Sequence, residues 1–258
     1  MESLSVVIPV YNVQKSIKRC LNSVEWANEI IVVDMGSDDD TVKICKKYGA
    51  KIFKRIPKDG NFDQNRKFGM ERAKSDWVLK LDSDEELSSQ LQEEIKENLL
   101  SGFPKNINGY RIYNHIFMFG KEIKRGPVKK NSNELRLFRN RKWHYDPYRF
   151  HQEISVEGKI EYMKSFYFHY NYDSVSQFIE KTNRYTDLDS KELYKKRMTY
   201  GLDAVILAPI KTFAKLFVLQ QGFLEGATGI EVCFLYSLYN LIEKMKVYEL
   251  QNHNNLLS

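Results

Sequence analysis

Apolar and polar positions alternate in blocks along the first hundred residues. Leu4-Ser-Val-Val-Ile-Pro-Val10 is a nearly continuous apolar run, and Ile17, Leu21 and Val24 then recur at helical spacing. Glu29-Ile-Ile-Val-Val-Asp34 repeats the apolar run. Asp38-Asp39-Asp40 leads into a short helix carrying Val42, Ile44, Cys45 and Tyr48, and Lys51-Ile-Phe53 reads as a third strand. Residues 64 to 74 read as a helix, Trp77 to Leu81 as a fourth strand, and Leu87, Leu91, Ile95 and Leu99 as the buried stripe of another helix. Continuous apolar strands alternating with amphipathic helices predict a mainly parallel sheet covered on both faces, an α/β fold.

The texture changes near residue 102. Tyr110 to Phe117, Glu134 to Phe138 and Tyr162 to Tyr170 are strand-like, separated by basic loops containing Gly and Asn. From Ser174 the helical period returns, with Val175, Phe178, Ile179, Thr182 and Tyr185 along one stripe. The segment after Leu202 is rich in Leu, Phe, Tyr and Lys. These changes divide the chain into an α/β domain, 1–172, made of halves 1–100 and 101–172, and a helical extension, 173–258.

Composition narrows the class. With 258 residues and 42% hydrophobic side chains, the chain can bury a sizeable core. The net charge of +6 suits anionic ligands in general. No zinc-finger spacing, aromatic RNA-binding motif or long basic run points to nucleic acid. Cys20, Cys45 and Cys233 are too few for a disulfide framework, which favours a cytoplasmic setting. The N-terminal run reads as a strand without a basic leader, so a signal peptide is not expected. No stretch approaches the roughly 20 apolar residues of a membrane span.

In an open parallel sheet, ligands bind beyond the carboxyl ends of the strands. Three such ends carry ligand-type groups: Pro9-Val-Tyr11-Asn12, Asp34-Met-Gly-Ser37 and Asp82-Ser-Asp84. Asp82 and Asp84, at i and i+2 of an extended segment, point the same way and can converge on Mg²⁺ or Mn²⁺. The same acids could instead open the helix of Leu87 and Leu91, where negative charge favours the dipole. Glu85 and Glu86 are expected in that helix's first turn.

The three strand ends together resemble the nucleotide-sugar-dependent glycosyltransferases of family 2, which have the GT-A fold, Rossmann-like in its nucleotide-binding half. The matching segments are Ser5 to Asn12, Glu29 to Ser37 with Asp39 and Thr41, and Asp76 to Glu85. The resemblance implies that Asp34 contacts the uracil of a UDP-sugar, with Pro9, Tyr11 and Ser37 beside it. It implies that Asp82 and Asp84 hold the divalent metal on the diphosphate. Met35 stands where the family usually has a second Asp. Asp63-Gln-Asn-Arg66-Lys67 also matches, and Arg66 either contacts the nucleotide or is a solvated helix-start residue.

Glu134 to Arg139, Phe150-His-Gln-Glu153, Phe168-His-Tyr170 and Lys181 to Tyr185 extend the resemblance to the subgroup that adds glucose or a related sugar to the inner core of bacterial lipopolysaccharide. That subgroup implies a UDP-hexose donor, a lipid-linked or oligosaccharide acceptor and inversion at the anomeric carbon. A protein or undecaprenyl-linked acceptor, or a silent nucleotide-sugar-binding protein, are the alternatives. The subgroup's His-Glu base position is Gln152 here, and Glu153 is next in line. His169 could complete the metal shell. Arg136 and Arg139, read as one face of a strand, suit the diphosphate or a phosphorylated acceptor, and Lys181 with Arg184 could close over the same site or form a solvated face. The C-terminal helices, with Leu207, Phe213, Leu216, Phe217 and Phe223 beside Lys211 and Lys215, pack on the chain, form a homodimer, or touch the inner membrane surface.

Overall fold

The computed structural model describes residues 1–56, 62–127, 134–145 and 154–255. Its first elements are β1 (Leu4–Val10), α1 (Ile17–Asn22), β2 (Glu29–Asp34), α2 (Thr41–Lys47), β3 (Lys51–Lys54), α3 (Phe62–Met70) and β4 (Trp77–Lys80). β1 pairs in parallel with β2 and β4, and β2 with β3. Every residue of β1 and β2 is buried, as the unbroken apolar runs require.

Pro9 is accommodated within β1 by the ladder's end. Val7 O accepts Leu81 N, and residues two apart on a strand orient alike, so the Pro9 nitrogen faces the β4 side. The last β1–β4 pair is Val7–Lys80, so no ladder bond is lost there. Helix α3 crosses the sheet closely at Gly69. A Cβ there would lie 2.5 Å from Val7 Cγ1 and 2.9 Å from Val33 Cγ2, so no larger residue fits without displacing the helix.

The second half adds antiparallel strands: β5 (Glu85–Leu87), β6 (Ile107–Met118), β7 (Lys121–Ile123), β8 (Glu134–Arg139) and β11 (Lys159–Tyr172). The sheet order is β3-β2-β1-β4-β8-β6-β11-β5, with β7 on the end of β6. β9 (Trp143–Tyr145) and β10 (Ile154–Val156) form a separate two-stranded antiparallel sheet. Glu85 and Glu86 are therefore strand residues, pairing with His169 and Phe168, and not the helix start expected from sequence. The helix, α4 (Ser89–Ser101), begins later and is capped by Ser88, whose Oγ accepts Leu91 N at 3.1 Å. The long-range pairing with β11 overrides the local preference of two glutamates next to an apolar helix.

Two compact units result: residues 1–115 with 131–169, and 116–130 with 170–258. The first has a core on each sheet face, one around Leu4, Val6, Trp77 and Leu91, the other around Val7, Val33, Met70 and Phe138. The second contains α5 (Val175–Lys195), α6 (Leu202–Ala214) and α7 (Gly226–Asn255). Its core joins Met118, Ile123, Tyr172, Phe178, Val232 and Leu235. Helix α5 buries Phe178, Thr182, Thr186 and Ser190, whereas Val175 and Ile179, expected on its inner stripe, are exposed. Among the described residues no helix is long and apolar enough to cross a membrane.

Candidate active site at the strand ends

The loops after β1 and β2 are laced together by side chains. Asn12 N donates to Ser37 Oγ at 3.0 Å, and Asn12 Oδ1 accepts Asp38 N at 3.0 Å. Val13 N donates to Thr41 Oγ1, and Gln14 N to Asp39 Oδ2. Asn12 takes the left-handed conformation, φ 50°, which Asn tolerates better than most residues. Asp34 is buried and its Oδ1 accepts Ser37 N at 3.0 Å, closing a turn that Gly36 permits at φ 97°. Ser37 and Thr41 therefore shape the two loops, while Tyr11 lies exposed beside them. Pro9 is inside the strand, paired with Val33.

At the tip of β4, acids and bases interleave. Arg66, from α3, donates to Asp82 Oδ1 through Nε at 3.0 Å and Nη2 at 2.8 Å. Glu85 Oε2 accepts Asp82 N at 2.8 Å. Arg136, from β8, grips both oxygens of Glu85 at 2.9 and 2.8 Å, and lies 3.1 Å from Glu134 and 3.7 Å from Asp82 Oδ2. Lys80 Nζ reaches Glu134 at 3.2 Å. Arg136 is only 3% exposed, so its guanidinium serves these carboxylates and does not face outward to a ligand. Its Nε and the Tyr167 hydroxyl have no hydrogen-bond partner among the described residues.

Arg139 lies elsewhere, because residues three apart on a strand face opposite sides. It donates to Glu2 at 2.8 Å and covers the Trp77 ring at 4.6 Å, which corrects the expectation of one basic face. Lys181 belongs to the second unit, where its Nζ donates to Asn171 O at 3.0 Å. Glu153, with His151 and Gln152, lies outside the described residues.

His169 faces Glu85 across the β11–β5 ladder. Its Nε2 is 3.6 Å from Asp84 Oδ1 and its Nδ1 is 4.0 Å from Glu85 Oε1. Asp84 and His169 are thus adjacent, while Asp82 is engaged by Arg66. Among the described residues no three His, Cys, Asp or Glu side chains are arranged as a complete metal site. The donors nevertheless fit a hard divalent ion. Carboxylate oxygen and imidazole nitrogen, the groups that Asp84 and His169 bring together, are donor types that Mg²⁺ and Mn²⁺ accept.

The electrostatics follow from burial and pairing. Burial alone would raise the Asp82 carboxyl, but Arg66, Arg136 and Lys80 hold it well below the usual carboxylate range. Burial pushes Glu85 up to about 7 against the opposing pull of Arg136. Arg136, followed by Lys80, brings Glu134 down to about 2 despite its burial. Burial, reinforced by Arg136, lowers Lys80. Sequence reasoning passed over Lys80, Glu85 and Glu134. The signal for Glu134 was present, since Glu134-x-Arg136 carries charge at the two-residue period of one face of β8. β4 by contrast ends at Lys80, and Asp84 lies in a turn closed by Glu85 N donating to Asp82 O at 3.0 Å. The extended segment expected to align Asp82 with Asp84 is therefore not formed.

The sequence profile described as Glycosyl transferase family 2 matches residues 5–155, which spans all three strand ends. A glycosyltransferase of Rickettsia typhi is 30% identical, with 100% of this chain and 91% of the relative aligned. The lipopolysaccharide core biosynthesis glycosyltransferase LpsC of Rhizobium meliloti is 27% identical over 90% of this chain and 89% of its own length. Among solved structures, S. aureus TarS 1–349 in complex with UDP-GlcNAc is similar at a TM-score of 0.47 and 14% identity, covering 98% of this chain and 92% of that one. By the extent of the family match and by its full-length relatives, the chain belongs to glycosyl transferase family 2, an enzyme family with the GT-A fold.

Proposed function

We propose that the protein transfers a hexose, glucose in the first instance, from a UDP-sugar to a hydroxyl of a bacterial surface glycan, with inversion and with the help of Mn²⁺ or Mg²⁺. The observation that supports this reading is the pair Asp84 and His169, 3.6 Å apart just beyond the end of β4 and two residues from Asp82, with Asp34 at the same edge of the sheet. The lipopolysaccharide core role in the name of LpsC supports the choice of acceptor. In this reading residues 1–100 hold the donor, 101–172 form the acceptor side, and 173–258 are a helical extension.

Asp34 and the laced loops around Tyr11 and Ser37 orient the uridine. Asp82, Asp84 and His169 would hold the metal, which neutralises charge on the departing diphosphate. Arg66 is placed to exchange its Asp82 partner for a phosphate oxygen. Arg136 and Glu85 keep the Asp82 backbone fixed. The acceptor oxygen bonds to the anomeric carbon as the bond to the β-phosphate breaks, and UDP leaves with the electron pair. We assign the acceptor proton to the Glu153 carboxylate, acting as general base.

The test replaces Asp82 and Asp84 with Asn and measures UDP release from UDP-glucose with Mn²⁺ present. A fall of about 100-fold or more is expected, given that electrostatic stabilisation is usually the largest catalytic contribution. Full activity in the double variant overturns the metal assignment. A thermal-shift screen of UDP-, GDP- and dTDP-sugars, with and without Mn²⁺, checks the donor: only UDP-sugars are expected to stabilise the protein.

A further inference from the structure

In the second unit, α6 is apolar on two sides. Val205 faces inward, 8% exposed, as does Leu216 in the π-helical turn Lys215–Leu219 that follows. Leu202, Ile206 and Ile210 follow one another four residues apart on the outer side, and Ile206 and Ile210 are 61% and 62% exposed. Phe213 continues that stripe. Its ring stacks on Phe217 at 5.2 Å and meets Phe234 of α7 edge-on at 6.1 Å, and Phe234 is 65% exposed. Phe217 in turn touches the exposed Phe223 at 6.0 Å. Ten of the nineteen large apolar side chains exposed among the described residues fall between 202 and 234, and ring contacts through Phe213 and Phe217 join Phe223 and Phe234 among them into one cluster. Scattered exposed apolar residues are ordinary, whereas a contiguous patch marks an interaction surface.

We infer that this face of α6 and the start of α7 docks on an anionic lipid surface. Two observations favour a bilayer over a second copy of the chain. Lys211 and Lys215 are exposed and lie one turn apart on the stripe adjoining the apolar one. Lysine is depleted from the cores of protein–protein interfaces, but at a membrane its stem lies along apolar surface while the ammonium meets headgroup phosphates. The outer side chains of α6 are also more than half exposed along three successive turns, Leu202 60%, Ile206 61% and Ile210 62%, a narrow stripe of the kind an interfacial helix lays between headgroups. The face lies on the membrane and does not span it, since no described helix is long and apolar enough.

The test is co-sedimentation of the full chain with vesicles, without donor or acceptor, so the result stands apart from any transfer assay. Vesicles of phosphatidylethanolamine with phosphatidylglycerol are compared with pure phosphatidylcholine. Binding to the anionic vesicles that weakens with salt is expected. Lys211→Gln with Lys215→Gln lowers that partitioning by about tenfold or more, given the attraction of each basic residue to an anionic surface. Ile206→Ser with Phe234→Ser lowers it by a similar factor on both vesicle types. These side chains are exposed, so unchanged melting curves are expected for both variants. Absence of vesicle binding overturns the inference, as does binding that neither variant alters. A concentration-dependent dimer in sedimentation velocity, lost in the Ile206/Phe234 variant and without vesicle binding, assigns the face to a second copy and also overturns it.

Discussion

Arg136 and Glu85 form a two-bond ion pair inside the sheet, at 2.9 and 2.8 Å, and Glu85 simultaneously holds the backbone N–H of Asp82 at 2.8 Å. The strand-end acid is thus fixed from behind by two buried residues. Removing one partner of such a pair strands a buried charge. Arg136→Ala is expected to cost about 3–5 kcal/mol of stability, read as a large fall in melting temperature. Replacing the pair together, Arg136→Met with Glu85→Leu, is expected to recover much of that stability. Transfer activity should stay low, because the Asp82 N–H has lost its acceptor.

Arg66 engages the Asp82 carboxylate, the group that would help hold the proposed metal. Arg66→Ala therefore removes a competitor in the donor-free protein. Mn²⁺ titrated into the variant without nucleotide is expected to bind about fivefold tighter, about 1 kcal/mol, the scale of a single partly exposed ion pair. The Michaelis constant for the UDP-sugar should rise in the same variant. Unchanged Mn²⁺ affinity would show that Arg66 and the metal do not compete.

Gly69 faces Val7 and Val33 with no room for a methyl group, one helical turn beyond Arg66. Gly69→Ala is expected to cost about 1–3 kcal/mol, as overpacked cores do. It should also weaken donor binding, because the helix that carries Arg66 is pushed off the sheet. Calorimetric melting and a donor titration check both halves of this expectation.

Glu29, buried at the other end of β2, binds Ser5 Oγ at 2.5 Å, Lys51 Nζ at 2.6 Å and Lys74 N at 3.0 Å. Burial would raise its carboxyl, but these bonds outweigh burial and hold it below its ordinary 4.5. A depressed carboxylate stabilises the fold above its unfolded value, and that stability is lost as pH falls through the folded one. Stability is therefore expected to decline below about pH 4.5. Glu29→Gln should be less stable at neutral pH and show a flatter acid limb in denaturant titrations at several pH values.

The parallel half of the fold was legible because its determinants are local. Leu4 to Val10 and Glu29 to Asp34 are continuous apolar runs, and their carboxyl ends carry the polar groups that the structure places side by side. The antiparallel half was less so. Glu85 and Glu86 next to an apolar helix look like a helix start, and only pairing with Phe168 and His169, more than eighty residues later, makes them a strand. Arg136 and Arg139 share a chemical type but sit three apart, so strand geometry sends them to different partners. Their residue types suggested a ligand; their spacing already spoke against a common one.

The strand order carries a consequence for biosynthesis. β1 is made first, yet it lies between β2 and β4 and hydrogen-bonds to both. Its ladder with β4 closes only once residues 77–80 are available. During vectorial synthesis, Leu4 to Val10 stay incompletely paired until that point, leaving an apolar, β-branched segment open to other strands. Slowing translation within the first eighty codons lengthens this exposure, whereas pausing after β4 allows the parallel half of the sheet to close before the antiparallel half emerges.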